Sequence, residues 1–224
     1  MDRYQSTVIA SNAGASALTT NKVLRNTYLL LSATLAFSAA MAGVAMVTNL
    51  PPFGMLTFLV YFALLFAVHK TKDSAWGLLS IFALTGFLGL TLGPILNMYM
   101  RVLPNGSQTV MLALGTTAIS FLGLSAYAVK SGRDFSFMAG FLTVGAIGGF
   151  VLSLIAVFFH LPTLSLVVSG MFLLISSGMI LWQTGDIING GETNYITATL
   201  TLYVSIYNMF ISLLQLLGAA NRNN

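Results

Sequence analysis

The 224-residue sequence contains no cysteine, which excludes disulfides, thiolate metal sites and cysteine nucleophiles. Charge is nearly as scarce. Asp, Glu, Lys and Arg make up 6% of the chain, where a soluble domain carries about a quarter. Such a chain cannot cover its surface with charge. With 57% hydrophobic residues and a mean hydropathy of +0.89, it reads as an integral membrane protein whose first partner is the lipid bilayer. Acidic residues are the rarest of all, five against nine Lys and Arg. The net charge of +4 is spread over loops with no basic run, so nucleic acid is not an expected partner.

No apolar run carries Asp, Glu, Lys or Arg at its centre. An ionisable group at membrane depth usually marks a proton relay or an ion site, so its absence argues against a pump or coupled transporter. Catalytic patterns are missing as well: there is no G-x-S-x-G, H-E-x-x-H or P-loop. Intramembrane proteolysis needs a Ser/His pair or two aspartates at depth. Here His69 and His160 fall at the ends of apolar runs, where an interfacial ring is expected rather than a metal ligand. The sequence therefore reads as a non-enzyme without cofactor or metal.

Seven apolar segments are present: Thr27–Thr48, Phe53–His69, Trp76–Tyr99, Thr109–Val129, Phe135–Phe159, Pro162–Trp182 and Ile196–Ala219. Most approach the ~20 residues a helix needs to cross ~30 Å of hydrocarbon. Each is expected to be helical, because an open strand edge in lipid leaves backbone groups unpaired. The predicted fold is an all-α bundle of seven transmembrane helices over residues 25–219. A flexible cytoplasmic tail (1–24) rich in Ser, Thr, Ala and Asn precedes it, and a short C-terminal tail (220–224) follows. The tail is not a secretory signal, since the following apolar run starts too late and is too long.

Charge sets the predicted orientation. With a cytoplasmic N-terminus, that side holds Arg3, Lys22, Arg25, Lys70, Lys72, Lys130 and Arg133, and the other holds Arg101 and Arg222. That is a strong positive-inside bias, and it places the C-terminus outside if the seventh segment spans.

Helix packing in lipid relies on small residues. Gly89 and Gly93, followed by Pro94, offer a close contact and a kink in the third segment, and Gly145 and Gly149 offer a contact in the fifth. The last two segments carry polar stripes. Thr197, Thr201, Ser205, Asn208 and Ser212 share one face of the seventh, and Ser165, Ser169, Ser176 and Gln183 share one face of the sixth. Polar groups at depth need partners, so the stripes should face each other or a shared interior. Interhelical hydrogen bonding and a narrow wet path are both open readings. Between the stripes lies WQTGDIINGGETNYITAT, which holds Asp186 and Glu192 and no Lys or Arg. These acids belong either to a solvated structural turn or to a docking or gating loop. The helix dipole disfavours Asp186 at the end of the sixth helix and favours Glu192 ahead of the seventh.

Three stretches, KVLRNTY (Lys22–Tyr28), TGFLGLTLGPILN (Thr85–Asn97) and the long block Ile175–Leu214, resemble the bacterial branch of the Bax inhibitor family. The resemblance covers the chain from about Lys22. It implies a seven-helix inner-membrane protein associated with the ATP-dependent FtsH (HflB) protease and its HflK/HflC partners. In that relation it would be both a slow substrate, engaged through its N-terminal tail, and a brake on degradation of other membrane proteins. Other branches of the family act as pH-sensitive calcium leaks through a pair of aspartates, and a leak channel is the alternative reading. Here those positions are Gln183 and Ser205. Neither ionises, which argues against calcium as a ligand by that mechanism.

Overall fold

A computed structural model describes the backbone of residues 2–222 and the side chains of residues 20–221. The expected flexible tail (1–24) falls mostly outside the described side chains. The order is α1 (Asp2–Val47), α2 (Leu56–Thr71), α3 (Trp76–Val102), α4 (Gly106–Ser131), a 3-10 turn at Ser136–Met138, α5 (Ala139–Phe158), α6 (Pro162–Ile188) and α7 (Tyr195–Arg222). Among the described residues there is no strand. Six helices are long and apolar enough to cross a membrane: Thr20–Val47 of α1, α3, α4, Ser136–Phe158, α6, and Tyr195–Asn221 of α7. The seventh, α2, has 16 residues and rises about 24 Å, which is short of the hydrocarbon thickness by itself.

Local chemistry sets the helix ends. α1, α5 and α6 close on Schellman turns, in which the residue past the cap is left-handed and two N–H groups return to the last carbonyls. At α6, Gly190 has φ +78°, Gly190 N–H bonds Ile187 O at 3.2 Å, and Gly191 N–H bonds Asp186 O at 2.9 Å. At α1 the left-handed residue is Asn49, φ +50°, a type that tolerates this conformation. At α5 it is His160, φ +52°, with Pro162 opening α6 two residues later. His160 and His69 are both exposed at helix ends. The Pro51-Pro52 pair and Gly54, φ +56°, delay α2 to Leu56 rather than Phe53. α6 continues six residues beyond the expected Trp182, to Ile188, and carries Gln183 and Asp186 within it.

α7 is the axis. It packs against α1, α3, α4 and α6, while α2 lies outside against α3 and α5 outside against α6. Half of the apolar window of α7 is buried, against 17% of that of α5. The two outer helices also meet, with Phe150 edge-on to Phe58 and Phe62 at ring separations of 5.8 and 5.4 Å. α1 and α3 meet through glycine. A Cβ at Gly89 would fall on the Ser38 carbonyl oxygen, and one at Gly93 on the Ala45 side chain. The expected Gly89/Gly93 contact is therefore a true backbone approach. Gly145 and Gly149 instead face side chains of α6, with Ile175 Cδ1 at 3.2 Å and Met171 Cε at 2.7 Å from the added atom.

Buried hydroxyls tie α7 to its neighbours. Ser38 Oγ lies 2.6 Å from Tyr203 OH, and that phenol donates to Thr85 O at 3.2 Å, so one ring links α1, α7 and α3. Tyr207, stacked on Tyr203 at 6.4 Å, reaches Thr91 Oγ1 at 2.9 Å. Asn221 donates to Thr109 Oγ1 of α4 at 3.2 Å. α7 thus runs unbroken between the two ends of the bundle.

The charges sort by end. Lys22, Arg25, Lys70, Lys72, Asp73, Lys130, Arg133, Asp134, Asp186 and Glu192 all fall at the end holding the α2–α3, α4–α5 and α6–α7 loops. The opposite end, at the α1–α2, α3–α4 and α5–α6 loops, has Arg101 as its one charged side chain among the described residues.

Candidate functional site

The charged end is organised around the α6–α7 turn. Asp186 sits in the last turn of α6, half-buried, and its backbone oxygen accepts N–H bonds from Gly191 at 2.9 Å and Glu192 at 3.3 Å. A Cβ at Gly191 would fall on the Asp186 carboxylate, so only glycine leaves room for it. Asp134 of the α4–α5 loop lies within Coulomb range of Asp186. Asp134 itself accepts the Ser136 N–H at 2.8 Å, and its bonds with Ser136 hold its carboxyl below the usual range. Glu192 Oε1 accepts the Asn194 N–H at 2.7 Å. The Glu192 carboxylate is thus held in the turn that leads into α7.

Asn194, which sequence reasoning passed over, makes the most bonds here. Its Oδ1 accepts the N–H groups of Ile196 at 2.9 Å and Thr197 at 3.1 Å, which caps α7. Its Nδ2 donates to Lys72 O at 3.1 Å and Asp73 Oδ1 at 2.8 Å on the α2–α3 loop. Asn189 makes the matching tie on the other side, donating to Arg133 O at 3.3 Å. The signal for Asn194 was an Asn at the edge of an apolar run, a cap signature.

Gln183 and Ser205, which the resemblance matches to the sensor pair, lie deeper, one turn before Asp186 in α6 and about three turns into α7. Gln183 is 2% exposed and Ser205 is 4% exposed. They do not bond each other as neutral partners. The Ser205 hydroxyl donates to Thr201 O of its own helix at 2.8 Å, and Gln183 Nε2 is buried without a partner among the described residues. The remaining stripe residues vary, and Thr197 Oγ1, like Gln183 Nε2, is buried without a partner among the described residues. Ser169, Ser176 and Ser212 are buried, while Thr201 and Asn208 are half-buried. Thr201 donates to Thr197 O at 3.2 Å and Ser169 to Ser165 O at 2.8 Å. Ser169, bonded to Gln215 Oε1, ties its stripe to α7, but Gln215 lies outside the other stripe. Packing buries Ser169, Ser176, Gln183, Ser205 and Ser212 and half-buries the others, but most of the bonded hydroxyls are satisfied by their own backbones, which serine and threonine allow.

The donor set does not fit calcium. That ion takes six to eight oxygens, several of them carboxylates. Around residues 183 and 205 the chain offers a neutral amide and a hydroxyl already donating to its helix. Among the described residues, no three His, Cys, Asp or Glu side chains converge.

An orphaned buried amide makes a clear expectation. Gln183→Leu should leave stability unchanged or raise it by about 1 kcal/mol, because an unpaired buried N–H costs about 1–3 kcal/mol. Thermal unfolding in detergent checks this, and a loss of stability would reveal a partner for the amide.

The architecture defines a multi-pass helical membrane protein with neutralised polar positions at the inner end of its central helix pair. The family model described as Inhibitor of apoptosis-promoting Bax1 matches residues 20–223, and the chain belongs to this Bax inhibitor family. It is 47% identical over 224 residues, the full length of both chains, to the Modulator of FtsH protease YccA of Escherichia coli K12. The same identity holds for a second E. coli strain, whose copy is called Inner membrane protein YccA. PA2604 of Pseudomonas aeruginosa is 52% identical over 199 residues, covering 88% of this chain and 89% of that protein.

Proposed function

We infer that this chain is an inner-membrane regulator that associates with the FtsH (HflB) protease complex, including HflK/HflC, and lowers its degradation of membrane proteins. The observation that carries this reading is the 47% identity, without truncation on either side, to a protein named as a modulator of that protease. The role is regulatory rather than enzymatic.

The seven helices form a transmembrane bundle of the Bax inhibitor type. α2 completes a crossing with the help of residues 50–55, because α1 ends where α3 ends and α3 begins at the other face. The sorting of charge supports a cytoplasmic N-terminus and a periplasmic C-terminus. The protease then meets the end that carries the Asp186/Glu192 turn and the loops bound to Asn189 and Asn194. Residues 1–24, the expected tail, are the segment through which the chain itself is slowly degraded.

Three measurements test the reading. A tagged full-length chain should capture FtsH from solubilised membranes, and extra copies should lengthen the half-life of a membrane substrate of the protease. Deleting residues 2–21 should leave the bundle folded and slow its own turnover several-fold. Turnover at the full rate would remove the tail from the mechanism, and failure to capture FtsH would sink the association.

A further inference from the structure

The poorly charged end of the bundle has a feature that the regulatory reading does not use. Arg101, in the last turn of α3, is exposed, and Asp73, Asp134, Asp186 and Glu192 all lie at the opposite end. Its one described hydrogen bond is neutral, Nη2 to Asn49 Oδ1 at 2.6 Å. A guanidinium has five N–H donors, so it retains capacity for a bidentate anion. Its surroundings are fixed. Asn49 is locked as the left-handed closing residue of α1, and Asn97 holds α3 to α1 by donating to Met46 O at 3.1 Å.

Two cavities flank this turn. One, of about 290 Å³, lies between the α1–α2 loop and α3, with Arg101, Asn49, Asn97 and the rings of Pro51, Pro52 and Pro94 in its wall. The other, of about 410 Å³, lies between α3, α6 and α7, and includes Val102, Leu166, Gly218 and Ala219. Met98 walls both. A cleft with an uncompensated cation in its wall thus adjoins a cavity of mixed lining, in which Met98, Val102 and Leu166 lie beside Tyr99, Ser165 and Gln215.

We propose that this end binds one anionic phospholipid from the adjoining leaflet, with the phosphate on Arg101 and an acyl chain in the α3/α6/α7 cavity. Three features select this occupant. Arg matches phosphate in a planar, bidentate manner. No carboxylate at that end competes for it among the described residues. Lipid is the one apolar ligand present at high concentration beside every face of the bundle. The site does not depend on the protease reading.

Native mass spectrometry of the full chain, titrated with phosphatidylglycerol, phosphatidylcholine or inorganic phosphate, tests it. One phosphatidylglycerol should be retained about tenfold more tightly than phosphatidylcholine, the scale of a single charge-assisted contact. Arg101→Gln should abolish the preference, and Arg101→Lys should keep part of it. Leu166→Trp should weaken retention of both lipids by filling the cavity while Arg101 is intact. Lys130→Gln, at the other end, should change nothing. Equal retention of the two lipids would overturn the proposal. So would an Arg101→Gln protein, folded by its unfolding temperature, that keeps the preference. Displacement of phosphatidylglycerol by inorganic phosphate at equal concentration would show an anion site without an acyl seat, and would also overturn it.

Discussion

Gly89→Leu is expected to separate α1 from α3 and to unfold the bundle under conditions where the parent chain is stable. At Gly89 even a Cβ would land on the Ser38 carbonyl oxygen, and at Gly93 on Ala45. Ser38 O is helix backbone and cannot rotate away, so the two helices must part. In lipid there is no hydrophobic drive to hold them together once they part, because close packing is itself the driving force. Overpacking a core costs about 1–3 kcal/mol when side chains can yield. A clash with backbone should exceed that, so Gly89→Ala should cost about 3 kcal/mol and Gly89→Leu more. Loosening this contact also strains Tyr203, whose hydroxyl joins Ser38 of α1 to Thr85 of α3. The control is Gly115→Ala, where nothing lies within 4 Å of the added atom. It should stay within about 0.5 kcal/mol of the parent. Unfolding in mixed SDS micelles measures all three. If Gly89→Ala matches Gly115→Ala, the α1–α3 approach is not as close as described.

Asn194→Ala should be the most costly substitution in the loops. It removes the cap of α7, worth about 0.5–2 kcal/mol. It also removes the bond to the Asp73 carboxylate, a charge-assisted contact worth about 1.5–3 kcal/mol where well formed. Exposure of the loop puts the combined effect near the lower part of these ranges, about 2 kcal/mol. Asn194→Asp separates the two roles. The new carboxylate still caps α7 and suits its N-terminus, but it faces Asp73 and has no donor for Lys72 O. Hydrogen exchange at the Ile196 and Thr197 amides should therefore rise strongly in Asn194→Ala and little in Asn194→Asp. The α2–α3 loop should loosen in both. Equal protection of α7 in the parent and Asn194→Ala would refute the capping role.

Much of the fold was legible because lipid leaves few choices. Seven apolar runs were expected to be helices, and seven α-helices are present among the described residues, although α2 is short and α6 runs on to Ile188. The run-on was hidden because Gln183, Thr184, Gly185 and Asp186 look like the start of a loop. They remain helical because packing buries Gln183, Thr184 and Gly185, and because the cap lies further on, at Gly190. The glycine contact at Gly89 and Gly93 was readable from their four-residue spacing. Asn194 carries only a cap signature in the sequence, which accounts for its bonds to Ile196 and Thr197 and for nothing more. Its second function, gripping Lys72 and Asp73, links residues more than a hundred positions apart, and no local pattern carries that.

The sequence alone determined that this is a helical membrane chain, that its charges divide between two ends, and that residues 183 and 205 cannot ionise. Those properties follow from residue type and order, which hold whatever the helices touch. Only the tertiary structure decided that α7 is the axis and that the more apolar α5, with a window hydropathy of 2.3 against 1.6, lies outside. It also decided that the stripe hydroxyls of Ser205, Thr201 and Ser169 bond to their own helices, and that Gln183 is left without a partner. The reason is that lipid solvates an apolar face as well as a neighbouring helix does. Which faces meet is settled by close contact and polar pairing, and these depend on the shapes of two helices at once.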